Sequence, residues 1–184
     1  MGVVPQAQGS KALREVRERL RFDFGTSPIG RILFAVSETG LRWLAVGDDL
    51  AQMEMELRAR FPKFMLVRDP DGIAMFATAL DGFWQDGSCP ADLGLDPMGT
   101  AFQKSVWTLL REIPRGETIT YSELARRVGN PKSVRAVAQA CGANPILCLV
   151  PCHRVIGANG ALTGFRAGIE RKRWLLEQEL AIST

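Results

Sequence analysis

Histidine is almost missing from this chain. His153 is the only one among 184 residues, and Tyr121 is likewise the only tyrosine. A zinc centre therefore has few ligands to draw on. Cys141, Cys148, Cys152 and His153 are the candidates. Their spacing does not supply two C-x2–4-C pairs, and adjacent residues rarely bind one ion together. No metal ion and no cofactor is expected. No apolar run approaches the eighteen or so residues of a membrane span, so no membrane partner is expected either. The start, "MGVVPQAQGSKALREVRERL", lacks the apolar core of a secretory signal. Gln6 stands where a myristoylation signal needs Ser or Thr. The expectation is a cytoplasmic protein whose four cysteines are reduced thiols. Internal repeats are absent as well, which excludes a solenoid.

What is present is an ordinary globular composition, 46% hydrophobic and 23% charged. It can form one good core, or two small ones sharing an interface. Charge is unevenly placed. Residues 1–98 carry 11 Lys/Arg and 14 Asp/Glu, whereas residues 99–184 carry 12 and 6. The second half is the half able to meet a polyanion, although a solvated basic face gives the same count. The sign changes inside "GSCPADLGLDPMG", a connection rich in Gly, Pro and Asp with room for a short strand. It divides the chain into a tail or linker over 1–20, a small α/β domain over 21–96 and a second domain over 97–184.

In the first domain, "RFDFGTSPIGRILFAVSETGLRWLAV" alternates apolar and polar residues between turn signals and predicts an antiparallel meander. Helical spacing of Leu50, Met53, Leu57 and Phe61 follows, with Asp48 or Asp49 as its N-cap. "IAMFATALDGFW" predicts a second helix. In the second domain, Phe102, Val106, Leu109 and Leu110 share one helical stripe that Ile113-Pro114 closes. Thr120 and Glu123 have capping-box spacing. A helix from about Tyr121 to Val128, a turn at Gly129-Asn130-Pro131 and a helix from Lys132-Ser133 to Gly142 outline a helix-turn-helix. Many helical hairpins bind nothing, so that outline alone leaves DNA binding open. On the second helix, Val134, Val137, Ala138 and Cys141 can face the core. Ala136, Ala140 and Gly142 are small enough to let a partner approach the backbone, and Arg135 and Gln139 lie four apart. "ILCLVPC" reads as a buried strand, "GANGALTGF" as a loop, and "GIERKRWLLEQEL" as a closing helix with Ile169, Trp174, Leu175 and Leu176 inward.

The chemistry concentrates in "VPCHRV". A free thiol with a pKa near 8.5 is mostly protonated at neutral pH, and a neighbouring base draws it toward thiolate. His153 directly follows Cys152 and can be that base. A catalytic imidazole needs an orienting acceptor, for which Glu170, Glu177 and Glu179 are nearest in sequence. These residues alone point to a cysteine hydrolase or transferase, against the commoner case of a buried structural cysteine.

"VPCHRV", preceded by "TYSELARRVGNPKSVRAVAQACGANP" and followed by "GALTGFRAG", resembles the 6-O-alkylguanine-DNA alkyltransferases. The likeness includes the C-terminal half of the bacterial adaptive-response alkyltransferase. It is specific from about Gly99 to Glu179 and diffuse before that. It implies an α+β fold, with a ribonuclease-H-like N-terminal domain of antiparallel sheet plus helices and a winged helix-turn-helix-type C-terminal domain carrying the site. It implies a monomer that docks in the minor groove of double-stranded DNA, associated with the nucleoid when bound. There it would extrude an alkylated base and move the alkyl group onto its own cysteine once. By resemblance Cys152 accepts the group, His153 is the base and Glu179 orients it. Tyr121 rotates the target phosphate and donates to the guanine ring, and Arg135 fills the vacated place in the stack. Asn144 ties the recognition helix to the cysteine loop. The carbonyl of Val155 accepts the exocyclic amine, the backbone N–H of Arg166 meets the guanine oxygen, and Ala136 and Ala140 allow the close approach. Arg166 stands where some members have Ser, which bears on pocket width. Departures from the family matter too. The N-terminal Cys and His residues of the human-type zinc site are missing, as is the four-cysteine phosphotriester-repair domain, so no methylation-triggered activator role is expected. Three rivals remain at this stage: a non-catalytic damage binder, against which Cys152 argues; a cysteine hydrolase; and a plain helix-turn-helix regulator.

Overall fold

The computed structural model describes residues 18–87 and 93–182; Cys89 and most of the expected N-terminal tail lie outside them. The fold is mixed α+β. A four-stranded sheet is ordered β3-β2-β1-β4, from β1 (Arg19–Ser27), β2 (Gly30–Val36), β3 (Leu41–Gly47) and β4 (Met65–Arg68). The meander is antiparallel as expected, but β4 runs parallel to β1. The sheet is therefore mixed, and β4 is a strand the sequence reading missed. The crossover that parallel pairing requires is α1 (Leu50–Arg60). Asp49 caps it, accepting from the backbone N–H of Ala51 and Gln52. Strand β1 begins inside the segment assigned to the tail, with Leu20 fully buried.

The middle of the sheet is covered on both sides, so the expected apolar–polar alternation gives way to continuous burial in β2 and β3. Side chains of a strand alternate between faces, and here the two faces feed two cores. Leu33, Ala35, Trp43 and Ala45 pack with Met53, Leu57 and Phe61 under α1. Ile32, Phe34, Val36, Leu41 and Leu44 face the other way, into a core continuous with Trp107, Leu110, Val137 and Val155 of the C-terminal half. That second core crosses the expected boundary near Asp96–Gly99, so the two halves share one interior. The tight turn after β2 depends on Gly40, whose φ is +147°; a Cβ there would stand 2.3 Å from the carbonyl oxygen of Gly94.

The C-terminal half begins with α2 (Ala74–Asp86) behind it and α3 (Ala101–Arg111), which a reciprocal Thr100–Gln103 capping box starts. A two-residue strand β5 (Ile119–Thr120) leads into α4 (Tyr121–Arg127). The Thr120 hydroxyl accepts from Glu123 N–H. The Glu123 carboxylate pairs instead with Arg126 and Arg127, so only the Thr120 side of the expected box is used for capping. After Gly129, a 3-10 turn at Pro131–Ser133 opens α5 (Val134–Gly142). Strand β6 (Val155–Ile156) lies parallel to β5, and α6 (Ile169–Ile182) closes the chain.

The segment read as a strand, 146–152, is a buried turn instead. Cys148 has φ of +71°, and Leu149 N–H donates to Leu147 O at 2.9 Å, a γ-turn of the rare, strained kind. Pro151, at φ −81° and ψ 62°, centres an inverse γ-turn closed by Cys152 N–H to Val150 O at 2.8 Å. A continuous apolar run does not distinguish a strand from a buried turn, and here the loop docks sideways on the sheet. Leu44 N–H donates to Pro145 O at 2.9 Å, and Leu147 N–H to Leu44 O at 3.1 Å.

Candidate active site

Cys152 opens a 3-10 turn (Cys152–Arg154) between that loop and β6. It is 5% exposed, and its thiol stays protonated at rest because burial raises its pKa. The opposing influences are the Asn144 hydrogen bond and the positive charges of Lys172 and Arg166. Asn144 follows the end of α5 and is fully buried. Its amide nitrogen donates to Val150 O at 2.7 Å and to Cys152 Sγ at 3.2 Å, while its oxygen accepts Ile146 N–H at 3.0 Å.

His153 points the other way, into the core against α6. Its Nε2 lies 2.8 Å from Glu179 Oε1. Burial would raise the Glu179 pKa, but hydrogen bonds from His153 and Arg154 hold it at about 2. The carboxylate is therefore ionised and can only accept, so Nε2 carries the hydrogen of the neutral ring. Burial lowers the His153 pKa against the pull of Glu179, which keeps the ring neutral. The lone pair is then on Nδ1, a buried atom with no hydrogen-bond partner among the described protein groups. The ring edge meets Phe165, centroids 6.4 Å apart. Of the three candidate carboxylates only Glu179 reaches the imidazole. Glu170 pairs with Arg173, and Glu177 is exposed.

The remaining predicted residues are spread around this centre. Tyr121 begins α4, half-buried, with its hydroxyl donating to Thr163 O at 3.2 Å; burial raises its pKa, so it is a neutral donor. Arg135, Ala136, Gln139 and Gly142 are exposed on α5. Ala140 is not. It is 1% exposed, and its carbonyl accepts the buried indole N–H of Trp107 at 2.8 Å. Small size suggested a surface role for Ala140, but its position on the helix turns it into the core, so it cannot contact a docked partner. Val155 O already accepts Lys172 Nζ at 2.6 Å, leaving one lone pair for a second donor. The Arg166 side chain lies back against the sheet, its guanidinium carbon 4.2 Å from the centre of the Trp43 ring and one nitrogen 3.4 Å from Leu44 O.

Two functional-looking residues escaped the sequence reading. Lys172 is fully buried and donates to both Val155 O and Thr163 O, at 2.6 and 2.8 Å. It thereby joins the strand after the cysteine turn to the glycine-rich loop. Arg154 grips Glu179 through Nε at 2.9 Å and a terminal nitrogen at 2.8 Å. The signal for Lys172 was its spacing: with Ile169, Leu175 and Glu179 it lies on one face of α6, but the surrounding "ERKR" reads as a solvated surface.

Comparison with known proteins finds relatives along most of the chain. Residues 101–181 match the family model of the 6-O-methylguanine DNA methyltransferase DNA-binding domain. A methylated-DNA–protein-cysteine methyltransferase of Methanosarcina acetivorans is 45% identical over 154 residues, covering 83% of this chain and 94% of that protein. The bifunctional transcriptional activator and DNA repair enzyme Ada of Escherichia coli is 40% identical over 172 residues, covering 92% of this chain; the chain spans 49% of that longer relative. A crystal structure of Mycobacterium tuberculosis OGT in complex with DNA superposes with a TM-score of 0.73 at 37% identity, covering 88% of this chain and 94% of that one. The family model over residues 101–181, with 45% identity over 94% of the Methanosarcina acetivorans protein, places this chain in the methylated-DNA–protein-cysteine methyltransferase family.

Proposed function

We propose that this chain reverses alkylation damage in DNA directly. It moves the alkyl group of a 6-O-alkylguanine, and of 4-O-methylthymine, onto its own Cys152 in a single event. The observation that carries the proposal is the pairing of two arrangements on one turn: Sγ held by Asn144, and the adjacent imidazole held by ionised Glu179 with Nδ1 left as a base. The names of the relatives and the DNA complex of a structural neighbour support the substrate.

In this reading residues 21–96 form a ribonuclease-H-like domain and residues 97–184 a winged helix-turn-helix domain that docks as a monomer in the minor groove. The exposed small residues Ala136 and Gly142 admit the sugar-phosphate backbone. Arg135 enters the stack as the damaged base leaves it, and Tyr121 rotates the target phosphate. Extrusion costs a few kcal/mol of unstacking, less for a weakened pair. The Cys152 proton passes through water to His153 Nδ1. A sulfur–carbon bond then forms as the carbon–oxygen bond breaks. The released electron pair stays on the base, which takes a proton at a ring nitrogen from the Tyr121 hydroxyl, and the proton lodged on His153 returns to Tyr121 through water. Val155 O, with its second lone pair, accepts the exocyclic amine, and Arg166 N–H meets the oxygen. The thioether that remains has no acyl carbon for water to attack, so no second half-reaction follows and one histidine suffices.

Incubation with duplex DNA carrying methylated guanine tests this directly. One methyl group should appear on the peptide holding Cys152 and on no other cysteine. Methylation elsewhere, or none, would overturn the assignment.

A further inference from the structure

We propose that Arg154 is a positioning residue for the reaction proposed above. Clamped on Glu179, it balances the buried carboxylate so that His153 remains an unprotonated base.

The geometry is a three-way junction. The Arg154 Nε donates to Glu179 Oε2 at 2.9 Å and one terminal nitrogen to Oε1 at 2.8 Å, a fork matching both carboxylate oxygens. The other terminal nitrogen donates to Ile113 O at 2.6 Å, just beyond α3. Glu179 Oε1 meets His153 Nε2 as well, and Oε2 lies 3.4 Å from Gly116 N–H. One guanidinium therefore fixes the cysteine turn, the end of α3 and α6 relative to one another. The junction is deeply placed: the side chains of His153, Glu179 and Arg154 are 0%, 7% and 13% exposed.

Counting charge shows what this does to the base. With a neutral imidazole the three groups sum to zero. A proton on His153 would leave one uncompensated positive charge in a poorly solvated interior, which is costly. Without Arg154 the account reverses. The buried carboxylate would lose the cation that forks both its oxygens, and protonating His153 would compensate its charge instead. The cation that grips the carboxylate therefore opposes protonation of the ring that shares it. Lys172, on α6, also acts on His153 in the same direction as Arg154, and the facing carboxylate opposes both. Lys cannot replace Arg fully here, because a point charge cannot span both oxygens and Ile113 O at once.

His153 being the sole histidine, its imidazole resonances in the full-length protein can be titrated without ambiguity. In Arg154→Gln the His153 midpoint should rise by about one pH unit or more, and in Arg154→Lys by a smaller but measurable amount. Single-turnover reaction of Arg154→Gln with free benzylguanine should fall below the parent increasingly as the pH is lowered from 7 to 5 and recover to within about threefold of it at pH 9, as expected when the base is lost to protonation. If Arg154→Gln does not fold, the Arg154→Lys titration decides. A folded variant whose His153 titrates at the parent midpoint, or whose rate loss is the same at pH 5 as at pH 9, would overturn the proposal. The titration does not use alkyl transfer, so its failure would leave the methylation result at Cys152 standing, and the reverse.

Discussion

The amide of Asn144 holds both ends of the turn that presents Cys152, donating to Sγ at 3.2 Å and to Val150 O at 2.7 Å. Its oxygen takes Ile146 N–H. Every polar atom of a fully buried side chain is thus committed to one loop, 146–152, that includes a γ-turn at Cys148. The sulfur is placed by the end of the α5 segment rather than by its own neighbours in sequence.

Asn144→Ala should therefore damage both stability and reactivity. Leaving Ile146 N–H unpaired inside the core, and Val150 O with only the Cys152 N–H, costs about 1–3 kcal/mol. The loss of the donor to Sγ should raise the thiol further. Urea unfolding and the rate of methyl transfer should fall together, whereas Asn144→Asp should keep the Ile146 bond but still react slowly.

Glu179→Gln separates charge from shape. In the folded chain the carboxyl is held at about 2, from an ordinary value of 4.5. The folded state thus binds this proton less tightly than the unfolded chain. Its stabilising contribution is complete above roughly pH 5 and is lost as the pH falls toward 2. The full amount is about 3 kcal/mol. Unfolding free energies measured from pH 7 to pH 3 should drop steeply in the parent and much less in Glu179→Gln, which begins lower.

Arg135 is exposed on α5 and makes no contact with the buried relay. Arg135→Ala should slow repair of alkylated duplex DNA by roughly tenfold or more while leaving reaction with free benzylguanine nearly unchanged, because unstacking costs of a few kcal/mol arise only in the duplex. Equal losses on both substrates would remove its role in extrusion.

Exposed Arg126, Arg127, Lys132 and Arg135 crowd the helix pair. If they neutralise phosphates, affinity for duplex DNA should fall at least tenfold between about 50 and 200 mM salt through counterion release. A flat response would assign the basic face another purpose.

Gly40→Ala tests the turn between β2 and β3. Its positive φ and the Gly94 oxygen at 2.3 Å from the added carbon leave no room. A loss of about 2–4 kcal/mol is expected, measured by denaturant midpoint, with methyl transfer by the remaining folded protein unchanged.

The cysteine motif, the helix pair and the meander were legible because each rests on local residues: Pro151-Cys152-His153, Gly129 between two apolar stripes, and Pro28 and Gly40 at the turns. What was not legible depends on distant partners. The run 146–150 looks like a strand until Leu44 is seen to take its backbone bonds, and no residue type signals a positive φ at Cys148. Ala140 and Ala136 have the same side chain, and only helix phase sends the first into the core. Met65–Arg68 is too short to show a period and becomes a strand because β1 lies beside it. Lys172 and Arg154 look like solvated cations in sequence, and each is identified only by the carbonyl or carboxylate that meets it.

The docking of Pro145 and Leu147 on Leu44 has a consequence for how the molecule is made. Synthesis delivers the sheet roughly a hundred residues before the segment that seals the rim of β3. For that interval Gly94 and Asp96 meet β3 only at Leu41, α2 covers part of the underside, and the stretch of rim at Leu44 waits for its partner.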